Sequence, residues 1–233
     1  MASEENTNGP MEQPSATPEI EDFRGKYESG RIGQEMLDRY FHSVRKLLES
    51  VDIGEEHRAI ELGCGQGFST MRLRKILDAR VHLEASEYVH DQVLIARENN
   101  PSLRVIQDSI YALARESEAF DVVFLLEVLE HLDHPSPALQ EVRRVLKPGG
   151  YLIAGVPREP LWRVLNMARG KYLSRLGNTP GHLNHWSKRA FTKYIASHFG
   201  QVLAIHSPIP WTLVLARKGR GDTDPGTPRG RAS

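Results

Sequence analysis

The chain has 233 residues, 39% of them apolar, enough for one α/β domain with a sizeable core and too few for two of ordinary size. Thirty Lys and Arg against thirty Asp and Glu argue against a generally basic nucleic-acid binder, and a single cysteine excludes an internal disulfide framework. The zero net charge is a cancellation. Residues 1–22 hold Glu4, Glu5, Glu12, Glu19, Glu21 and Asp22 and no Lys or Arg, whereas 217–233 hold Arg217, Lys218, Arg220, Arg229 and Arg231 against Asp222 and Asp224. Both stretches have little apolar matter to bury, so they read as disordered tails, acidic over 1–22 and basic over 218–233, around a folded unit at 23–217. No apolar run is long enough to cross a bilayer and no basic-then-apolar leader opens the chain, which makes a cytoplasmic protein the expectation.

Within the folded unit, Met36, Leu37, Tyr40, Phe41, Val44, Leu47 and Leu48 recur at spacings of three and four, which predicts a helix over 33–51. A strand over 58–62 runs into a glycine cluster, followed by a helix over 69–77 and a second strand from 80 to 83 or 84. The next helix, 89–98, stops ahead of Asn99-Asn100-Pro101, because the residue before proline resists the helical region. Strand three is expected at 103–106. Residues 120–126, FDVVFLL, are nearly all apolar, as in a strand covered on both faces. A helix over 137–146, a turn at Pro148-Gly149-Gly150 and a strand over 151–156 follow. Alternating strands and helices imply a parallel sheet with right-handed crossovers. Ser187 suits the N-cap of a helix ending at Phe199 and Gly200. Strands over 202–206 and 212–216 are joined by Ser207-Pro208-Ile209-Pro210, too short for a crossover, so they should pair antiparallel.

The most informative segment is Glu61-Leu62-Gly63-Cys64-Gly65-Gln66-Gly67. Alternating glycines remove Cβ atoms where a ligand must lie against backbone. Dinucleotide-binding proteins place G-x-G-x-x-G at the same point, but here the spacing is G-x-G-x-G and an acid precedes the loop. A carboxylate suits a cationic ligand and repels a pyrophosphate. Glu84, at the expected end of the second strand, could accept both hydroxyls of a ribose. Cys64 reads as a small residue in a tight loop, since no base beside it is indicated.

These segments resemble the class I S-adenosylmethionine-dependent methyltransferases, in particular the group containing the ubiquinone-biosynthesis O-methyltransferases. The resemblance covers about 58–156 and is carried by the glycine loop, Leu83-Glu84-Ala85-Ser86, Gln107-Asp108-Ser109 and most of 120–156. It implies a three-layer Rossmann-like α/β fold with a seven-stranded, mostly parallel sheet of order 3-2-1-4-5-7-6 and an antiparallel last strand. It further implies S-adenosylmethionine as cofactor, S-adenosylhomocysteine as product, and cofactor contacts from Glu61, Gly63, Cys64, Gly65, Gly67, Glu84, Ala85, Asp108, Ser109 and Glu127.

A sulfonium methyl is already activated, so the protein aligns the acceptor and, where needed, removes a proton. His131, in Glu127-Val128-Leu129-Glu130-His131, is the candidate base, with Glu130 beside it. The same string resembles the metal segment of small-RNA 2′-O-methyltransferases and of some ubiquinone-pathway enzymes. Glu127, Glu130 and His131 are then an optional divalent-metal set, with His182 or His185 as a further ligand. Leu161, Trp162, Leu165, Ala168, Tyr172, Leu173 and Leu176 have helical spacing, predicting a cap over 157–186. Arg158, Arg163, Arg169, Lys171 and Arg175 in it face one acid, Glu159, which fits either an anionic acceptor or a solvated face. Tyr27, Trp162, Arg163, His182, His185 and Trp186 are the candidate acceptor contacts. The expected acceptor is a small-molecule or lipid-linked hydroxyl compound, not DNA. An RNA 2′-O-methyltransferase, a non-catalytic cofactor-binding regulator and a nicotinamide-dependent oxidoreductase are the rivals.

Overall fold

The computed structural model describes residues 30–53 and 56–220; the expectations for the tail at 1–22, for Tyr27 and for 221–233 lie outside them. The first helix, α1, spans Arg31–Glu49 and buries Leu37, Tyr40, Phe41, Val44, Leu47 and Leu48, the stripe that its apolar spacing demands. Then come β1 (Arg58–Leu62), α2 (Phe68–Ile76), β2 (His82–Glu87), α3 (His90–Asn99), β3 (Arg104–Gln107) and β4 (Phe120–Leu126). A single 3₁₀ turn at Leu129–His131 leads to α4 (Pro135–Val145) and β5 (Leu146–Pro157). The cap holds α5 (Leu161–Ala168) and a 3₁₀ turn at Leu173–Arg175, and α6 (Lys188–Phe199), β6 (Gln201–His206) and β7 (Trp211–Arg217) close the fold.

The seven strands are ordered β3-β2-β1-β4-β5-β7-β6. All neighbours run parallel except β5 with β7 and β7 with β6, which are antiparallel. β4 shows why its run has no polar alternation. Val123 and Leu125 face one core with Leu139 and Val142 of α4 and Phe191 and Ile195 of α6, while Val122, Phe124 and Leu126 face the other, with α1. The sheet is therefore the middle of three layers.

Ser187 accepts the Ala190 N–H at the start of α6, and Gly200 ends that helix at φ +75°. Two boundaries differ from the sequence reading. β2 continues three residues past Glu84, because its pairing with β1 carries on to Leu62↔Ser86 and β3 extends it to Glu87↔Gln107. β5 begins at Leu146 instead of after Gly150, with Phe120 pairing Leu146 across an irregularity in the β4 register. Beyond β7, Lys218 is fully buried and its ammonium donates to the Leu146 carbonyl at 2.8 Å. The folded unit thus includes this residue, which composition had placed in the basic tail.

Candidate active site

The cleft opens at the carboxyl ends of β1, β2 and β4, beside the point where strand order reverses. The glycine loop forms its floor. Gly63 has φ +74°, and a Cβ there would meet Val128 Cγ2 at 2.6 Å, so only glycine lets the loop pass under the segment after β4. Gly65 has φ +53°, and a Cβ there would meet nothing within 4 Å. That is a cradle open to a ligand, with the backbone exposed at its base. Gly63 N–H and Cys64 N–H donate to the Ser86 carbonyl at 2.8 and 3.0 Å. Gly65 N–H donates to Glu87 Oε2 at 2.9 Å, so the loop hangs from the end of β2.

Glu61 enters this floor from β1, 1% exposed, with the Thr70 hydroxyl donating to its Oε2. Burial pushes its carboxyl up from 4.5 to about 7, against the lowering effect of the Ser69 and Thr70 hydroxyls and with a smaller push from Glu87. An acid whose folded pKa is raised favours folding while protonated and loses that contribution as pH climbs through the folded value. The ligand-free protein is therefore expected to lose stability between about pH 4.5 and 7, by on the order of 3 kcal/mol from this group. Urea unfolding of wild type and Glu61→Gln at both ends of that range checks it. A difference between the two proteins that does not change with pH refutes the assignment.

Burial also pushes the Cys64 thiol up, out of the range of a nucleophile. Asp108 and Ser109 line the cleft opposite the loop. The Asp108 carboxylate accepts the Ser109 and Ala114 N–H groups at 3.1 Å and lies 3.4 Å from Arg115 Nη1, which ties the turn after β3 together.

Past β4 the chain turns at Glu127, which holds φ +60° although it is not glycine, and its N–H donates to the Gly155 carbonyl at 2.9 Å. Such backbone costs on the order of 1–3 kcal/mol and persists where surrounding structure over-determines it. The turn drops Glu130 and His131, 1% and 7% exposed, into the interior. Gly181 to Asn184 of the cap then clamp it: Leu183 and Asn184 N–H donate to the Glu130 carbonyl, and Asn184 Nδ2 donates to the Leu129 and Leu132 carbonyls. His131 Nδ1 stands 3.0 Å from the Gly181 carbonyl. A carbonyl only accepts, so in the neutral ring Nδ1 carries the hydrogen and Nε2 the lone pair.

His182 packs edge-on against His131, ring centroids 4.9 Å apart, and stacks on Trp162 at 6.0 Å. Trp162 Nε1 donates to Thr179 Oγ1 at 2.9 Å, and Asn166 Nδ2 donates to the same oxygen at 3.1 Å, which fixes the cap over the pair. Glu130, His131 and His182 offer ligand atoms that all lie within 4.8 Å of one another. The cleft also has apolar walls from Leu37, Phe41, Phe68, Leu126 and Trp211.

Residues 60–154 match the family described as a methyltransferase domain. Over that segment the chain is similar to methyltransferases, and its fold is that of the class I S-adenosylmethionine-dependent enzymes. It is 27% identical over 153 residues to a mitochondrial ubiquinone biosynthesis O-methyltransferase of Dictyostelium discoideum, covering 60% of this chain and 47% of that one. It is 30% identical over 144 residues to a trans-aconitate 2-methyltransferase of an Azoarcus species, covering 60% and 55%. The chain thus spans about half the length of these curated relatives. In fold it is similar to a SAM-dependent methyltransferase from Aquifex aeolicus, with TM-score 0.63 at 17% identity over 84% of this chain and 99% of that one.

Measured on this methyltransferase domain, several sequence expectations change. Glu84 and Ala85 do not line the cleft. The Glu84 carboxylate is held by Arg58 at 3.0 Å and by Arg104 and Arg115 at 3.5 Å, and Ala85 is buried under α3 with Val93 and Ala96. Glu87 occupies the strand end, accepting the Tyr88 and Val89 N–H groups at 2.8 and 2.9 Å in addition to that of Gly65. The metal set also shifts, since His182 joins Glu130 and His131 whereas Glu127 faces the cleft instead. Arg169, Lys171 and Arg175 are exposed, and none of the five cap bases lines the cleft. Arg163 donates to the Leu176 carbonyl. His185 stands 3.8 Å from Glu159, and burial, aided by the Arg163 charge, lowers its pKa. Trp186 packs on Phe191 and Tyr194, and Trp162 is a buried strut of the cap. Tyr40 and Glu87 are cleft residues that the sequence reading had not assigned there. Among the described residues no helix is long and apolar enough to cross a membrane.

Proposed function

We propose that the protein methylates a hydroxyl on an apolar acceptor, with His131 as the proton-accepting group. Supporting this is the position of His131: its tautomer is set by Gly181, and it lines the cleft together with apolar side chains. The cradle at Gly65 fits S-adenosylmethionine, a bound methyl donor that makes the acceptor oxygen the only atom needing activation. In this reading Glu87 accepts the ribose hydroxyls and Glu61 faces the cationic methionine end. Leu37, Phe41, Phe68 and Trp211 favour an aromatic or aliphatic body over a highly charged one. Since none of the cap bases lines the cleft, their count lends no support to an anionic acceptor.

Glu130, His131 and His182 are also a donor set of the kind that binds Mn²⁺, Fe²⁺ or Zn²⁺. Such an ion supplies Lewis-acid polarisation of the acceptor hydroxyl when bound. The test is S-adenosylhomocysteine release with a panel of phenols, catechols and aliphatic hydroxy compounds, alongside calorimetry with Mg²⁺, Mn²⁺ and Zn²⁺ on wild type and Glu130→Ala. Binding by wild type that falls at least about tenfold in the variant assigns the cluster as a metal site. Equal, absent binding leaves His131 as an unaided base. Release with no hydroxyl compound, but with amines or carbon acids, overturns the oxygen assignment.

A further inference from the structure

Tyr40 stands where the periodicity of α1 asks for a core side chain, and it is 3% exposed. Its ring behaves accordingly, packed edge-on against Phe41 and Trp211 with centroids 5.3 and 5.0 Å away. Its hydroxyl does not. Among the described residues the oxygen has no hydrogen-bond partner, although it is fully buried. It lies so close over β5 that any Cβ at Gly155 would collide with it. Burial, and after it the charges of Glu127, Glu130 and Glu61, raise its pKa well above that of a free phenol. Phenylalanine would fill the same space without stranding a polar atom, so the oxygen answers to a group beyond the described residues, and its place on the cleft points to a ligand.

Tyr40 lines the cleft together with Gly63, Glu127 and His131. A ligand group that suits this point is positive, since the Glu127 carboxylate lines the same cleft, and accepts a lone pair, since the hydroxyl offers two. We propose that the Tyr40 hydroxyl contacts the sulfonium end of S-adenosylmethionine and selects the charged methyl donor over its neutral thioether product. This rests on the reading of the cleft given above. The methyl and methylene C–H groups beside a sulfonium carry positive charge and make C–H···O contacts with a lone pair. The thioether has neither that charge nor the methyl. The contact therefore holds the donor and lets the product go.

Calorimetry with S-adenosylmethionine and with S-adenosylhomocysteine, on wild type and Tyr40→Phe, tests this. The variant should bind the sulfonium about fivefold more weakly and the thioether within about twofold of wild type. Its thermal midpoint should match or exceed that of wild type, because the change removes an unpaired buried oxygen and keeps the ring. If Tyr40→Phe does not fold, Tyr40→Met supplies an apolar side chain of adaptable shape for the same comparison. Equal weakening of both ligands makes Tyr40 a wall of the pocket and overturns the proposal, as does no weakening of either. Wild type that binds neither ligand defeats the reading of the cleft itself, and this inference falls with it.

Discussion

Substitution of His131 by alanine is expected to lower turnover by about 10²–10⁴-fold, the range that a positioned proton acceptor contributes, while cofactor affinity stays within about twofold of wild type. The split follows from where the ring sits. It lines the cleft on the segment after β4, whereas the glycine loop and the end of β2 hold the cofactor in the proposed reading. Because His131 is buried against His182 and under Gly181, alanine also leaves a cavity. A second variant, His131→Gln, separates the two effects. Its amide can still donate toward the Gly181 carbonyl, yet it takes no proton. Loss of turnover in both variants, with calorimetric binding of S-adenosylmethionine intact, identifies proton removal as the missing step. Wild-type turnover in either variant takes His131 out of the chemistry.

Much of this layout is legible in the chain because it is written in local patterns. FDVVFLL announces a strand buried on both faces, and the βα alternation around it fixes a parallel sheet. The acid and three glycines at the end of β1 announce a ligand-binding loop because no ordinary turn needs them at that spacing. What the sequence leaves open is register. Glu84 and Glu87 are both acids in one strand, three positions apart, and nothing in the string LEASE says which of them is level with the loop. Pairing of Leu62 with Ser86 decides it, putting Glu87 at the strand end and leaving Glu84 to the arginines. Tyr40 is hidden for a related reason. Helical spacing reports that the ring is inside, but not that the hydroxyl comes to lie against Gly155 of β5 with no partner among the described residues. His182 and His131 are 51 positions apart, and only folding of the cap brings them edge to edge.

The five cap bases show the converse, since their count left an anionic acceptor and a solvated face equally open. Counting charge along a segment is a statement about composition, whereas recognition depends on which side of the segment the charges face. Arg169, Lys171 and Arg175 face water, and Arg163 caps a turn of its own segment. The acids Glu87, Asp108 and Glu127 are the ones that line the cleft, with Glu61 and Glu130 buried beneath the same elements. A cleft of this polarity is matched to a cationic ligand, and it needs no compensating base because the ligand brings the charge.

That polarity gives Glu87 the largest expected effect on binding. Replacing it by alanine should weaken S-adenosylmethionine by about 10³-fold, whereas Glu84→Ala should leave affinity within about twofold. The Glu87 carboxylate accepts backbone N–H groups from Gly65, Tyr88 and Val89, so it holds the glycine loop against the end of β2 before any ligand arrives. Hydrogen bonds to a charged acceptor contribute about 1.5–3 kcal/mol each, and loss of the loop anchor together with the ribose contacts reaches about 4 kcal/mol. Glu84 has a different duty. It neutralises Arg115, whose side chain is only 8% exposed, along with Arg58 and Arg104. Removing Glu84 leaves the buried guanidinium with Asp108 as its remaining partner, at a cost of about 1–3 kcal/mol in stability. The two variants should therefore exchange readouts. Glu84→Ala lowers the urea midpoint without touching affinity, and Glu87→Ala abolishes binding at ordinary ligand concentrations. Equal loss of affinity in both would place the ribose elsewhere, and an unchanged affinity in Glu87→Ala would remove the anchor from the account altogether.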